Sequence, residues 1–335
     1  MKWLRHLLIW LSLAVSAVLI LAIGTWCSIG AWYQCSWPEP VRLVPPGLTA
    51  AATLAAIICL VTRHRWIALG IFLGAFAGFL MWWATIAPTN DRDWAPDVAR
   101  TLTAVVDGDH AVVSNVRNFD WRSETDFKPI WETRTYDLAT ITNVDLIMSY
   151  WMGEPIAHTV VSFGFADGQR LAFSIETRKE THEQYSSIAG FFKQYELAIV
   201  AGDERDVVRV RSNIRGEDVR LYRLRMGSAD ARRLFLEYLA TANDLARTPR
   251  FYNTFTANCT TLVFDMVTII HPGLPLDVRV ILAGYLPDYA YSVGALDQSV
   301  SFEELRDRAH IHEKALRADA APDFSARIRE GIPKP

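Results

Sequence analysis

The sequence predicts membrane-spanning α-helices followed by an α+β domain in which an antiparallel sheet packs on a cysteine-bearing helix. Three observations carry this. The apolar excess of the 335 residues lies almost wholly before about residue 88. A stretch rich in β-branched and aromatic residues, His158 to Glu176, is folded back on itself by Asp167-Gly168, a hairpin signal. Cys259, alone of the four cysteines outside the apolar third, follows a good N-cap, Asn258, and precedes Leu262, Val263, Met266, Val267 and Ile270 at helical spacing.

The membrane anchor is assigned to residues 1–88. Leu7 to Ile29 is an apolar run long enough to span a bilayer, and residues 47–62 and 66–87 supply two more expected spans, the middle one somewhat short. Lys2 and Arg5, together with the basic turn Arg63-His64-Arg65, belong on the cytoplasmic side by the positive-inside rule. Three spans then deliver everything after Pro88 to the outer face, with Trp82 and Trp83 at the interface. Cys27 and Cys35 could pair only if their loop faces an oxidising compartment, and free thiols are the alternative.

The remainder divides into a domain over residues 89–320 and a flexible tail over 321–335 rich in Ala, Asp, Pro and Lys. Thr103 to Val113 reads as two strands around Asp107-Gly108-Asp109, and Ile130 to Tyr136 as another. In the hairpin, His158, Val160, Ser162 and Gly164 share one face of the first arm, and Ala172, Ser174 and Glu176 one face of the return. A tight turn at Asp167-Gly168 then sets His158 and Glu176 across from each other at the open end. Val207 to Arg211 and Arg215 to Leu224 read as strands, Ala229 to Leu245 as a helix capped by Ser228, and Phe302 to Leu316 as a helix.

Composition excludes some functions. A net charge of −3 and the lack of a basic stripe interleaved with aromatics argue against nucleic acid. Four cysteines without a CxxC pair argue against a zinc site, and no metal or cofactor is expected. A cysteine in a helix's first turn is a different matter. The helix dipole and unpaired N–H groups stabilise a thiolate there and can form an oxyanion hole. With an imidazole and its orienting carboxylate on paired strands, this makes a nucleophilic Cys–His arrangement in which His precedes Cys, the order of a circularly permuted papain-like fold. The bland readings are a buried inert cysteine and a surface His–Glu pair.

Six blocks carry a resemblance: His158-Thr159-x-x-Ser162-Phe163-Gly164-Phe165-x-Asp167-Gly168, Ser174-Ile175-Glu176-Thr177-Arg178, Gln194-Tyr195-Glu196-Leu197, Gly202-Asp203-Glu204-Arg205-Asp206, Arg211-Ser212-Asn213, and Phe251-Tyr252-Asn253-Thr254-x-x-x-Asn258-Cys259-Thr260. In this order, over roughly residues 90 to 290, they resemble the Lnb N-terminal periplasmic domain family. The resemblance implies a papain- or NlpC-like cysteine domain outside the cytoplasmic membrane of a bacterium, on a multi-pass anchor. It further implies acyl transfer from a phospholipid donor to a lipoprotein amine. Cys259 matches the family's nucleophile and His158 its histidine; Glu176 is inferred as the third member from the hairpin as well as the motif. Asn258, Tyr252, Asn253 and Arg178 are candidates for oxyanion or substrate binding, and Arg205 and Arg211 could hold lipid phosphates or form structural ion pairs. A periplasmic cysteine hydrolase (peptidase, amidase or lipid esterase) and a non-catalytic envelope binding module are the alternatives.

Overall fold

The computed structural model describes residues 2–35 and 38–334, and the chain divides into two compact units. The first comprises Met1–Pro88 and Ser186–Gln194. It holds α1 (Lys2–Gln34), α2 (Val44–Cys59) and α3 (Arg65–Thr85). α1 and α3 are long and apolar enough to cross a membrane. The second expected span is only 16 residues long, about 24 Å of helix, short of a typical hydrocarbon core. Gly24 lets α1 approach α2 closely, because a Cβ there would run into the Thr53 side chain, and Ser28 and Thr49 share a hydroxyl hydrogen bond of 2.7 Å beside it. Small residues and a polar contact thus join helices that are otherwise uniformly apolar.

One sequence expectation changes here, and one open alternative closes. Ser186–Gln194 was expected inside the soluble domain but belongs to the helical unit. There Phe192 lies against the rings of Trp26, Tyr33 and Trp83, and its carbonyl accepts from Gln34 Nε2 at 2.7 Å. Cys27 and Cys35 are both free. Cys27 lies in α1, which runs to Gln34, so eight residues of rise hold the two about 12 Å apart, beyond disulfide reach.

The second unit, Thr89–Tyr185 with Tyr195–Pro335, is built on one sheet. Its strands are β1 (Thr103–Asp107), β2 (His110–Arg117), β5 (Trp131–Asp137), β6 (Ile141–Tyr150), β7 (Ala157–Phe165), β8 (Arg170–Arg178), β9 (Glu196–Gly202) and β10 (Asp218–Arg223); β3 (Asp120–Trp121) and β4 (Phe127–Lys128) form a separate ribbon. The order is β1-β2-β9-β8-β7-β6-β10, with β5 added beside β2. The sheet is mixed, not antiparallel as expected: β2 and β9 pair in parallel at Arg117 and Gly202. Nearly eighty residues separate these strands in the chain, ample for the crossover that parallel pairing needs.

The helices of this unit are α4 (Glu204–Val207), α5 (Ser228–Arg247), α6 (Cys259–Ile270), α7 (Val278–Ile281), α8 (Leu286–Ser292), α9 (Phe302–Ala309), α10 (His312–Ala318) and α11 (Phe324–Arg327). α5 lays Phe235 and Tyr238 against Phe163 and Phe173, which alternation sends to one face of β7 and β8. The other face is covered by α4, α10 and α11, whose Val207, Ala315, Phe324 and Ile328 bury Val160, Ala172 and Leu221.

Three local expectations fail, each for a physical reason. Val207 to Arg211 is not a strand. The Asp203 side chain accepts the Arg205 N–H and starts α4, and Val210–Ile214 closes a π-helical turn through Arg215 N–H to Val210 C=O at 2.9 Å. The helix expected over 302–316 breaks at His310-Ile311, where the Ile311 N–H leaves to pair with Val219 C=O. The tail from 321 is not loose: Phe324, Ile328 and Ile332 are buried, and Arg329 reaches Asp145 and Glu204 at 2.8 and 2.5 Å.

Candidate active site

His158 stands near the start of β7. The β7/β8 register pairs Val160 with Ser174 and Ser162 with Ala172, so continuing it sets His158 across from Glu176. The contacts follow: His158 Nε2 lies 2.6 Å from Ser174 Oγ and 3.2 Å from Glu176 Oε1, and Ser174 Oγ donates to the same carboxylate oxygen at 2.6 Å. Ser174 bridges base and acid from the face that alternation assigns to it. The pair is not a surface ion pair, since His158 is only 7 % exposed.

The cysteine is brought in by a segment that extends the start of β9. Leu197 N–H donates to Arg250 C=O at 2.7 Å and Tyr252 N–H to Tyr195 C=O at 2.9 Å. Asn253 then pairs with Ala257 in both directions, and its side chain accepts the N–H groups of Phe255 and Thr256, closing a tight loop. Asn258 caps α6. Its Oδ1 takes the N–H groups of Thr260 and Thr261 at 2.8 and 2.9 Å, while its own N–H donates to Thr261 Oγ1, a complete capping box. Cys259 is therefore the first residue of the helix. With Thr260 and Thr261 satisfied by the cap, its own N–H is the first-turn donor left over.

Cys259 is 9 % exposed, and His158 lies close enough to bear on the charge of its thiol. Because Nε2 is committed to Ser174 and Glu176, Nδ1 is the ring nitrogen left to exchange a proton with sulfur. Burial pushes the thiol pKa up, but the hydrogen bond and charge of His158, the Thr159 N–H and the Thr260 hydroxyl outweigh it, and the thiol ionises below its ordinary value. Burial and then Arg211 disfavour charge on His158, yet Glu176 and the thiol hydrogen bond prevail and its pKa is raised. Burial likewise opposes charge on Glu176, but His158, Arg211 and Ser174 hold its carboxyl well below the usual range. All three directions run toward the charged forms: thiolate, imidazolium and carboxylate.

The other predicted residues divide. Tyr252 is buried, and burial, followed by the charge of Cys259, pushes its phenol up, so it remains an O–H donor near the sulfur. Asn258 caps the helix and Asn253 braces the loop; their side-chain oxygens are spent on backbone N–H groups. Arg178 is no substrate ligand: it is buried, gives its guanidinium to Val98 C=O, Asn90 Oδ1 and Ala99 C=O, and lies over the Trp94 ring. Arg205 is held by Asp203. Arg211 bonds Glu176 Oε1 at 3.1 Å, which makes it part of the site itself. Sequence reading missed this role, and missed Ser174 as a bridge, although Ser174 shares a face with Glu176 by period two. Among the described residues no cluster of three His, Cys, Asp or Glu side chains could hold a metal.

Residues 127–284 match the model of the Lnb N-terminal periplasmic domain family. No curated protein and no solved structure matches the chain.

Proposed function

We propose that this chain, whose residues 127–284 match the model of the Lnb N-terminal periplasmic domain family, is a membrane-bound acyltransferase working through a Cys259 thioester. The observation that carries this reading is the convergence of Cys259, at the first turn of α6, with His158 and Glu176, which lie 3.2 Å apart, the thiol pKa being lowered and the imidazole pKa raised. In this reading the domain is a permuted papain-like unit on the periplasmic side of the bacterial inner membrane, held there by a multi-pass anchor.

The Cys259 thiolate attacks the ester carbonyl of a phospholipid acyl chain. The N–H of Cys259 and the Tyr252 hydroxyl stabilise the tetrahedral oxyanion. The C–O bond then breaks, and His158 gives its proton to the departing oxygen, leaving a lysophospholipid and an acyl-thioester. An amine, in this proposal the N-terminal amine of a lipoprotein, attacks the thioester. His158 takes the amine proton, and collapse expels the thiolate with an amide formed. Glu176 keeps the imidazole oriented and supports its positive charge at both steps. Water as the acceptor would make the same residues a hydrolase.

The test is to incubate the full chain with phospholipid, quench in acid and weigh the peptide containing Cys259. A fatty-acyl adduct that disappears on adding an N-terminal lipopeptide, with the acyl group recovered on its amine, supports transfer. Recovery as free fatty acid supports hydrolysis, and no adduct on Cys259 refutes both.

A further inference from the structure

Glu176 serves two cations from one oxygen. Its Oε1 is 3.2 Å from His158 Nε2 and 3.1 Å from Arg211 Nη2. Arg211 is in turn tied to Glu217: its Nη1 lies 3.4 Å from Glu217 Oε2, and its carbonyl accepts the Glu217 N–H at 3.0 Å. Glu217 also receives the hydroxyl of Ser149, the residue directly opposite His158 in the β6/β7 register. The chain of contacts therefore closes back beneath the histidine. It depends on the π-turn Val210–Ile214, which contains Arg211 and carries one residue more than an α-turn would hold. One-residue insertions of this kind re-aim side chains and recur at functional sites.

We infer that Arg211 is a positioning residue of this site: it fixes the Glu176 carboxylate and limits how much of that charge reaches the imidazole. The inference rests on the proposed Cys–His chemistry and adds a tuning element to it. An imidazole next to an undivided buried carboxylate holds its proton too tightly to release it to a leaving group, whereas a competing cation moves it back toward the working pH. The groups that face this pair are Ser174 on β8, Cys259 on α6, Tyr252 before it, and Arg211 and Glu217; Arg117 on β2 feels Glu176 from further away but is itself held by Asp206. Arg211 is the cation among them that both touches Glu176 and opposes charge on His158.

The test follows the His158 ring titration by NMR in detergent-solubilised full-length protein, assigned with His158→Asn. Arg211→Met removes the competing charge, so the His158 midpoint moves up; Arg211→Lys retains the charge and returns it toward wild type. Glu217→Gln releases Arg211 to Glu176 and removes a nearby negative charge, so the midpoint moves down. Opposite displacements in two variants of one network are not produced by general loosening of the fold. A midpoint that stays put in both variants, or moves the same way in both, overturns the inference, and if Arg211→Met fails to fold, Glu217→Gln and Arg211→Lys still decide it. Titration requires no substrate, so a failure of acyl transfer is read separately.

Discussion

The same sheet carries two buried ionic networks, and they behave differently. One is the site: His158, Glu176, Arg211 and Glu217, with the Cys259 thiol at its end. The other sits four residues further along β7. Ser162 donates to Glu204 at 2.5 Å, Arg329 bonds both Glu204 and Asp145, and Arg170 and Arg223 complete Asp145. Asp145 and Glu204 are fully buried, each against fixed cations, with neither a thiol nor an imidazole among their partners. Such a network joins elements. The first differs in three ways: it includes an imidazole and a thiol whose pKa values are drawn toward each other, its carboxylate is 22 % exposed at the side chain, and it ends at a helix N-terminus. Buried charge alone is therefore a poor mark of a site. An exchangeable proton next to a nucleophile is a better one.

The sharpest way to break the comparison is Cys259→Ser. Acyl transfer should fall by about 10⁴-fold or more, with thermal stability nearly unchanged; equal acyl transfer in the variant would remove Cys259 from the chemistry. In the second network Arg329→Met should cost about 3–5 kcal/mol, because two buried carboxylates lose a shared cation. Urea unfolding reads that loss. It should also make the fold acid-sensitive. Burial pushes the Glu204 carboxyl up, but Arg329, Arg170 and Ser162 pull it below its ordinary value. Its stabilisation is therefore complete above that ordinary value and disappears as pH falls through the depressed one. The variant, with Glu204 less depressed, should lose its acid resistance at higher pH than wild type.

A smaller effect separates the two roles of the first network. Glu176→Gln should lower turnover by about 10²-fold and narrow the pH window of acylation from both ends. Without the carboxylate the imidazole loses its proton at lower pH, so the alkaline limb retreats. The thiol, with a weaker cation beside it, ionises at higher pH, so the acid limb advances. A simple scaling of the profile would assign Glu176 to packing alone. Smallest is Asn258→Ser, which keeps a cap acceptor: stability should stay within about 0.5 kcal/mol and turnover within about tenfold, against the 10²–10³-fold loss expected if the amide bound the oxyanion.

Much of the site was legible from local pattern. Period-two alternation around Asp167-Gly168 brought His158 to Glu176, and an N-cap before a helical apolar run brought Cys259 to the first turn. These signals are contained in a few consecutive residues. The missed arginines have partners far off in the chain: Arg211 meets Glu176 across 35 positions, and Arg329 meets Glu204 across 125. Arg178 shows the converse. It shares a face with Glu176 by alternation, yet the segment near Val98 claims its guanidinium, and nothing in the strand announces that. The tail was misread because Ala, Asp and Pro around residue 320 hide Phe324, Ile328 and Ile332, whose spacing of four is a helical stripe. The strand expected at 207–211 alternated valine with arginine, but Asp203 had already started a helix.

The tie of Arg329 to β6 and α4 also sets a timetable. A polypeptide is made from one end, and the strands carrying His158 and Glu176 emerge long before residue 329 does. Until then Asp145 and Glu204 lack the cation they share, and α11 is absent from the face it covers. The ionic network behind the sheet that holds the histidine is complete only after synthesis has passed residue 329, well after Cys259. A chain interrupted between residues 259 and 329 would hold its cysteine beside a sheet that lacks part of its cover and a cation shared by two buried carboxylates.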